Sequence, residues 1–238
     1  PGTTLVEGDI CDSARLARAM EGAAGIFHLA AVSSVEACVN RRAETSRTNL
    51  HGTVTVLECS GARPVVYASS AAIYGDQRHL PVAENAAPEP ISPYAIDKLG
   101  SERHLRAAVR LRGARGIALR LFNVFGPGQS AASPYSGVLT RFVDRAREGL
   151  PLVVNGDGGQ IRDFVHVRDV AAALVAAMDL ARVAPAPAFH AINVCRGEGT
   201  TILALAELVN RLAGSEAPVA FAPPRLGDIR ESVGDPRR

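Results

Sequence analysis

The chain has no tryptophan, and of its 26 basic residues only one, Lys98, is a lysine. Its four cysteines, Cys11, Cys38, Cys59 and Cys195, show neither metal-ligand spacing nor the density of a disulfide framework. Isolated thiols in a reducing cytoplasm are the expectation, with no metal. No run of about 18 apolar residues occurs, so no membrane span is expected. Acidic and basic residues nearly balance, at a net charge of +2, and the arginines are scattered among Asp and Glu. That leaves no basic stripe for nucleic acid. Repeats and low-complexity linkers are also lacking. What remains is a 238-residue chain, long enough to bury a large core, sized for one α/β domain with an appended lobe.

Short apolar, β-branched runs predict strands at residues 4–7, 25–30, 65–69, 116–120 and 191–194. Helical spacing and caps predict helices at 13–20, 44–59, 93–112, 137–148, 167–180 and 202–213. This alternation predicts a parallel, doubly wound sheet. The strands are continuous apolar runs, as expected where helices cover both faces.

The lone lysine follows Tyr94 by four positions in Tyr94-Ala95-Ile96-Asp97-Lys98. Residues so spaced share a helix face, one turn apart. An ammonium beside a phenol favours the phenolate, so the pair predicts a lowered Tyr94 pKa and an acid/base near neutral pH. Taken alone, the pair reads equally well as a chance juxtaposition on a helix surface. Ser92-Pro93 just before it is a helix start, with serine as N-cap and proline in the first turn. Upstream, Val65 to Ser69-Ser70 is a buried strand ending in two serines. Polar residues at the carboxyl ends of parallel strands lie where open α/β sheets bind ligands. A strand-end serine, Tyr94 and Lys98 thus form a Ser-Tyr-Lys constellation. Asp97 and Glu102, on the same helix, are most simply solvated charges, and His28 a packed core histidine.

The ordered series of segments resembles the extended short-chain dehydrogenase/reductases of the NAD-dependent epimerase/dehydratase group, close to nucleotide-sugar 4-epimerases. It comprises Gly8-Asp9-Ile10, His28-Leu29-Ala30-Ala31, Thr48-Asn49-Leu50-His51-Gly52-Thr53 and Ser69 through Gly75. Tyr94 to Lys98, Arg120 through Gln129, Gly156 through Phe164 and Arg225-Leu226-Gly227-Asp228 continue it. The resemblance implies a Rossmann-like domain over residues 1–121 and a mainly substrate-binding lobe over 122–238, with a return strand near 191–194. It assigns catalysis to Ser70, Tyr94 and Lys98. NAD is implied as cofactor, held by Asp9, Ile10, Leu29, Ala30, Ala31, Asn49, Tyr94 and Lys98. Asn49 is expected to support the central strand.

The same resemblance implies a UDP-sugar substrate held by Ser34, Asn123, Arg162, Arg225, Asp228 and Ser232. Serine at 232 leaves room for an N-acetyl group where an aromatic would exclude it. The implied reaction is 4-epimerisation through a transient 4-keto sugar. Ala71 and Ala72 stand where related dehydratases and decarboxylases carry acids, and alanine transfers no proton. A UDP-glucuronate 4-epimerase, a dehydratase, a reductase and a non-catalytic scaffold or sensor of the same fold remain as alternatives. A homodimer through helices 44–59 and 93–112 and a cytoplasmic location are further expectations. The family's opening strand, glycine-rich turn and helix precede the segment that begins Pro1-Gly2-Thr3 here. The segment alone is therefore expected to bind NAD poorly.

Overall fold

The structure, a computed structural model, describes residues 2–130, 133, 136–225 and 227–238. Leu226 of the Arg225–Asp228 segment lies outside the described residues. The helices are α1 (Ser13–Ala19), α2 (Val35–Asn40), α3 (Arg42–Ser46), α4 (Gly52–Ser60), α5 (Pro93–Arg112), α6 (Val138–Arg147), α7 (Val167–Val183) and α8 (Ile202–Ala213). The strands are β1 (Ile26–His28), β2 (Val65–Ser70), β3 (Arg115–Leu121), β4 (Asn123–Phe125), β5 (Leu152–Asn155), β6 (Ile161–His166), β7 (Ala188–Val194), β8 (Gly199–Thr201), β9 (Val219–Ala222) and β10 (Glu231–Ser232).

Two compact units form. The first comprises residues 2–73, 92–120 and 173–192, the second residues 74–91, 121–172 and 193–238. An α/β architecture is observed, and the main sheet runs β1-β2-β3-β7. β1 and β2 are parallel, with Phe27 opposite Val66. β2 is buried at every position but its last, as a strand covered on both faces must be. Its Val65 and Tyr67 pack with Met20, Ile26, Val56, Leu57, Leu105 and Ala118 into one core. Each fully buried aliphatic side chain there contributes roughly 1.5–3 kcal/mol. The second unit has its own core, where Phe142, Leu152, Val154, Leu205 and Val209 meet.

The start of α5 is capped as the sequence predicts. Ser92 Oγ accepts the Ala95 N–H at 3.2 Å, Pro93 occupies the first turn, and left-handed Gly113 (φ 66°) closes α5.

Two expectations fail. Residues 4–7 form no strand: Leu5 and Val6 are 85% and 52% exposed, and no described strand pairs with them. An isolated apolar run leaves its backbone to water. The single helix expected over 44–59 is three pieces, α3, a π-helical turn at Arg47–His51, and α4. The wide turn coincides with the engagement of buried Asn49 by a neighbouring loop, described below. Ile10 packs closely on Gly52: a Cβ there would come within 2.5 Å of its Cδ1, so the Ile10 side chain would have to shift. Sequence reading also passed over α2 and the strands β4–β6 and β8–β10.

Candidate functional site

In the first unit the site is built on the end of β2 and the first three turns of α5. The polypeptide leaves β2 at Ser70 and makes a 3₁₀ turn over Ala71–Tyr74. Ser70 Oγ accepts the Ala72 N–H at 3.2 Å, and its side chain lies close enough to Tyr94 to pull the phenol's pKa down. Lys98 Nζ donates to Ala68 O at 2.6 Å and lies 5.7 Å from the Tyr94 ring centroid and 4.8 Å from that of Tyr67. The structure therefore brings Ser70, Tyr94 and Lys98 together.

Their electrostatics depart from the expected simple ammonium–phenolate pair. Burial pushes the Tyr94 phenol up to about 12, against a downward pull from the Ser70 side chain. Burial also draws the Lys98 ammonium down to about 8, opposed by the nearby Cys38 and Glu102. Desolvation penalises the charged form of both groups and is the largest influence on each.

The candidate cofactor residues divide by environment. Leu29 is 54% exposed and Ala30 is exposed too, an open apolar surface at the carboxyl end of β1, while Ala31 beyond them is half-buried. Asp9 lies at the surface in an ion pair with Arg47 at 2.7 Å and accepts the Cys11 N–H at 2.9 Å. These contacts hold its carboxyl down to about 2. Ile10, beside it, packs on the first unit's core. Asn49 does not reach the central strand. Its Oδ1 accepts the Val32 N–H at 2.7 Å and its Nδ2 donates to Val32 O at 3.0 Å. It thus clamps the loop that follows β1. Ser34, in the same loop, caps α2 by accepting the Ala37 N–H at 3.1 Å.

The second unit gathers the other candidates around β6. β4 and β10 both pair with β6 in parallel, placing Asn123 opposite Phe164 and Ser232 opposite Arg162. Arg162 donates from Nη2 to Asp228 Oδ1 at 2.5 Å and from Nη1 to Ile161 O at 2.8 Å. Arg225 is exposed, its carbonyl accepting the Asp228 N–H at 3.3 Å. Arg162, Asp228 and Ser232 are thus neighbours. A parallel ion pair joins Arg230 to Asp157 at 2.7 Å.

Several buried polar residues escaped sequence reading. Glu102 and Asp97, expected in solvent, are 4% and 5% exposed, because α5 is packed on more sides than one. Glu102 accepts from Arg120 and Ser69, whereas Asp97 accepts from Ser46 Oγ at 2.8 Å. Asp163, fully buried, accepts the N–H groups of Arg196 and Gly197, both at 2.8 Å. Asn193 receives the Tyr74 hydroxyl at 2.6 Å. Gly75, next in the chain, must be glycine: its φ is +66° and a Cβ would come within 1.9 Å of Glu89 O. His28 is buried as expected, with Nε2 2.9 Å from Thr53 Oγ1.

Residues 1–195 match the NAD dependent epimerase/dehydratase family. The UDP-glucose 4-epimerase of Azospirillum brasilense is 32% identical over 257 residues, covering 97% of this chain and 73% of that protein. The crystal structure of Thermotoga maritima UDP-glucose 4-epimerase with UDP-glucose superposes with a TM-score of 0.91 at 33% identity, covering 98% of this chain and 75% of that one. The UDP-N-acetylglucosamine 4-epimerase of Methanobrevibacter ruminantium, in complex with UDP-N-acetylmuramic acid, gives 0.89 at 32% identity, covering 98% and 74%. The chain spans 66% and 73% of the length of two of the curated relatives it matches. With this match, and with the Ser-Tyr-Lys arrangement at the end of a buried parallel strand, the chain belongs to the NAD-dependent epimerase/dehydratase family.

Proposed function

We propose that the protein epimerises a UDP-hexose at C4, with NAD as a resident cofactor and a 4-keto sugar as transient intermediate. The observation that carries this reading is the contact of Ser70 with Tyr94 beside a buried Lys98 ammonium. NAD, when bound, supplies a hydride acceptor that returns the hydride at the end of the cycle. The donor set suits it: Lys98 uses one donor on Ala68 O, leaving two for ribose hydroxyls. Leu29, Ala30 and Ala31 offer the apolar surface beside it, with Asp9 and Ile10 toward the adenine. Asn49, engaged by Val32, would contribute by fixing the loop of residues 30–34.

Tyr94 Oη takes the proton of the C4 hydroxyl as the C–H bond breaks, and gives it back after the keto sugar has turned its other face. With a pKa near 12, the phenolate is a minority species at neutral pH. Only the phenolate can accept that proton, so turnover draws on this minority form, whose negative oxygen the Ser70 hydroxyl favours.

Ala71 and Ala72 carry no proton-transferring group on the turn after Ser70, which favours epimerisation over dehydration. One relative, from Bacillus cytotoxicus, is a UDP-N-acetyl-α-D-glucosaminuronate decarboxylase at 31% identity, so the same alanines also bear on that alternative. Arg162, Arg225, Asp228, Asn123, Ser34 and Ser232 would bind the UDP-sugar, with paired guanidinium donors on the diphosphate. A homodimer is proposed through α3–α4 and α5, whose surface groove is lined by Ser46, Arg47, Leu50, Val54 and His104.

The test is interconversion of UDP-glucose and UDP-galactose by the full protein. Tyr94→Phe should lower kcat about 10²–10⁴-fold while leaving UDP binding intact. Wild-type rates in Tyr94→Phe overturn the reading.

A further inference from the structure

Tyr94, Lys98 and Glu102 recur at four-residue intervals on α5 and so share one face. Each meets a different one of three consecutive residues at the end of β2. Lys98 Nζ donates to Ala68 O at 2.6 Å, Ser69 Oγ donates to Glu102 Oε1 at 2.5 Å, and Tyr94 lies beside the Ser70 side chain. Glu102 is fixed by a third element, β3, whose Arg120 donates from Nε to Oε1 at 3.1 Å and from Nη2 to Oε2 at 2.9 Å. Ser69, Glu102 and Arg120 are 3%, 4% and 6% exposed. A buried ion pair is poor value for stability alone, since apolar replacements are often neutral or better. Its place directly behind the Ser-Tyr-Lys group calls for another account.

We propose that Glu102 is a positioning residue, anchored by Arg120, that holds Ser69 and hence Ser70 in register with Tyr94 and sustains the Lys98 ammonium from one turn away. The effect on turnover rests on the epimerase reading, whereas the effect on Lys98 does not. The titratable and charged groups facing Lys98 are His28 from β1, Tyr67 from β2, Cys38 from α2, and Tyr94 and Glu102 from α5, with Arg120 behind Glu102. Among them Glu102 and Cys38 oppose the desolvation that draws Lys98 down to about 8. Without the Glu102 charge the ammonium is lost at lower pH.

Lys98 is the only lysine of the chain, which gives a direct readout. In full-length protein labelled with 13Cε-lysine, its resonance is assigned by its loss in Lys98→Arg. Glu102→Gln should lower the titration midpoint of that resonance by about half a unit to one unit, Arg120 offsetting part of the carboxylate's effect. The same variant should lower kcat for C4 epimerisation about tenfold, with the KM for UDP-sugar changed less than about twofold, since the loss falls on orientation at the reacting carbon. Ser69→Ala keeps the charge but removes the tether, so kcat should fall with the midpoint unmoved. An unshifted midpoint or an unchanged kcat in folded Glu102→Gln overturns the proposal. If Glu102→Gln does not fold, wild-type kcat in Ser69→Ala overturns it. If wild-type protein lacks epimerase activity, the functional reading fails and the Lys98 midpoint alone decides the Glu102 assignment.

Discussion

Asn49 grips Val32 from both sides, accepting its N–H at 2.7 Å and donating to its carbonyl at 3.0 Å. A peptide unit in a connecting loop is thereby satisfied as if it belonged to a sheet. The loop it secures runs from the end of β1 to the cap of α2 and carries Ala30, Ala31 and Ser34. Asn49→Ala leaves the Val32 donor and acceptor without their partners. Unsatisfied groups of this kind cost about 1–3 kcal/mol each. Denaturant unfolding should therefore report a loss of about 2–4 kcal/mol, and NAD content should fall in parallel. A loss below about 0.5 kcal/mol would dismiss the clamp.

Much of this arrangement was readable in the amino-acid sequence, and the rest was not, for physical reasons. Ser92-Pro93 opens α5 where expected because an N-cap is local chemistry, written within a few residues. The Ser70–Tyr94–Lys98 group was legible because helix spacing and strand-end position are both local. Glu102 was misread as solvated, since its partners Ser69 and Arg120 lie 33 and 18 positions away and only the fold joins them. Asp163 escaped for the same reason, as its partners are backbone N–H groups that carry no residue-type signal. The π-helical turn at residues 47–51 defeats any 3.6-residue period. Burial likewise reversed the expected direction for Tyr94, because desolvation is set by packing and not by the neighbour in sequence.

His28 makes the protein acid-sensitive in a defined window. Burial, with a contribution from the Lys98 charge, lowers its pKa from 6.5 to about 4. Thr53 Oγ1 donates its proton to Asn49 O, so it accepts from His28 Nε2–H, and the imidazole is neutral. Between about 6.5 and 4 the unfolded chain binds a proton at this site that the folded chain does not. Stability therefore falls as pH falls through that window, by up to roughly 3 kcal/mol. His28→Gln keeps a donor for Thr53 without the titration. Its unfolding midpoint should drop less than the wild-type value between pH 7 and pH 4.5, and equal drops would refute the assignment.

Asp163 should be a stability determinant of the second unit. Besides Arg196 and Gly197, it receives the Gly234 N–H at 3.3 Å, so one carboxylate ties β6 to two later segments. Asp163→Ala strands these donors, at a cost of about 3–5 kcal/mol for a buried charged hub. Asp163→Asn is no rescue, since its amide turns an N–H₂ toward N–H donors. Both variants should show faster hydrogen exchange at Arg196, Gly197 and Gly234. Protection at wild-type levels would contradict the hub.

Ser232 offers a test of substrate scope. It pairs in parallel register with Arg162, so both side chains leave the sheet on the same face. Arg162 is held there by Asp228 at 2.5 Å. Ser232→Tyr fills that face with a ring but leaves the ion pair, and so the proposed diphosphate grip, in place. A bulkier sugar then meets a steric block that a smaller one avoids. Turnover of UDP-N-acetylglucosamine should fall about tenfold or more relative to wild type, with UDP-glucose changed only a few-fold. The kcat/KM ratio of the two substrates isolates this effect from any general loss of activity. Should that ratio stay constant in Ser232→Tyr, or should wild-type protein ignore UDP-N-acetylglucosamine altogether, the residue at 232 does not set the breadth of the sugar site.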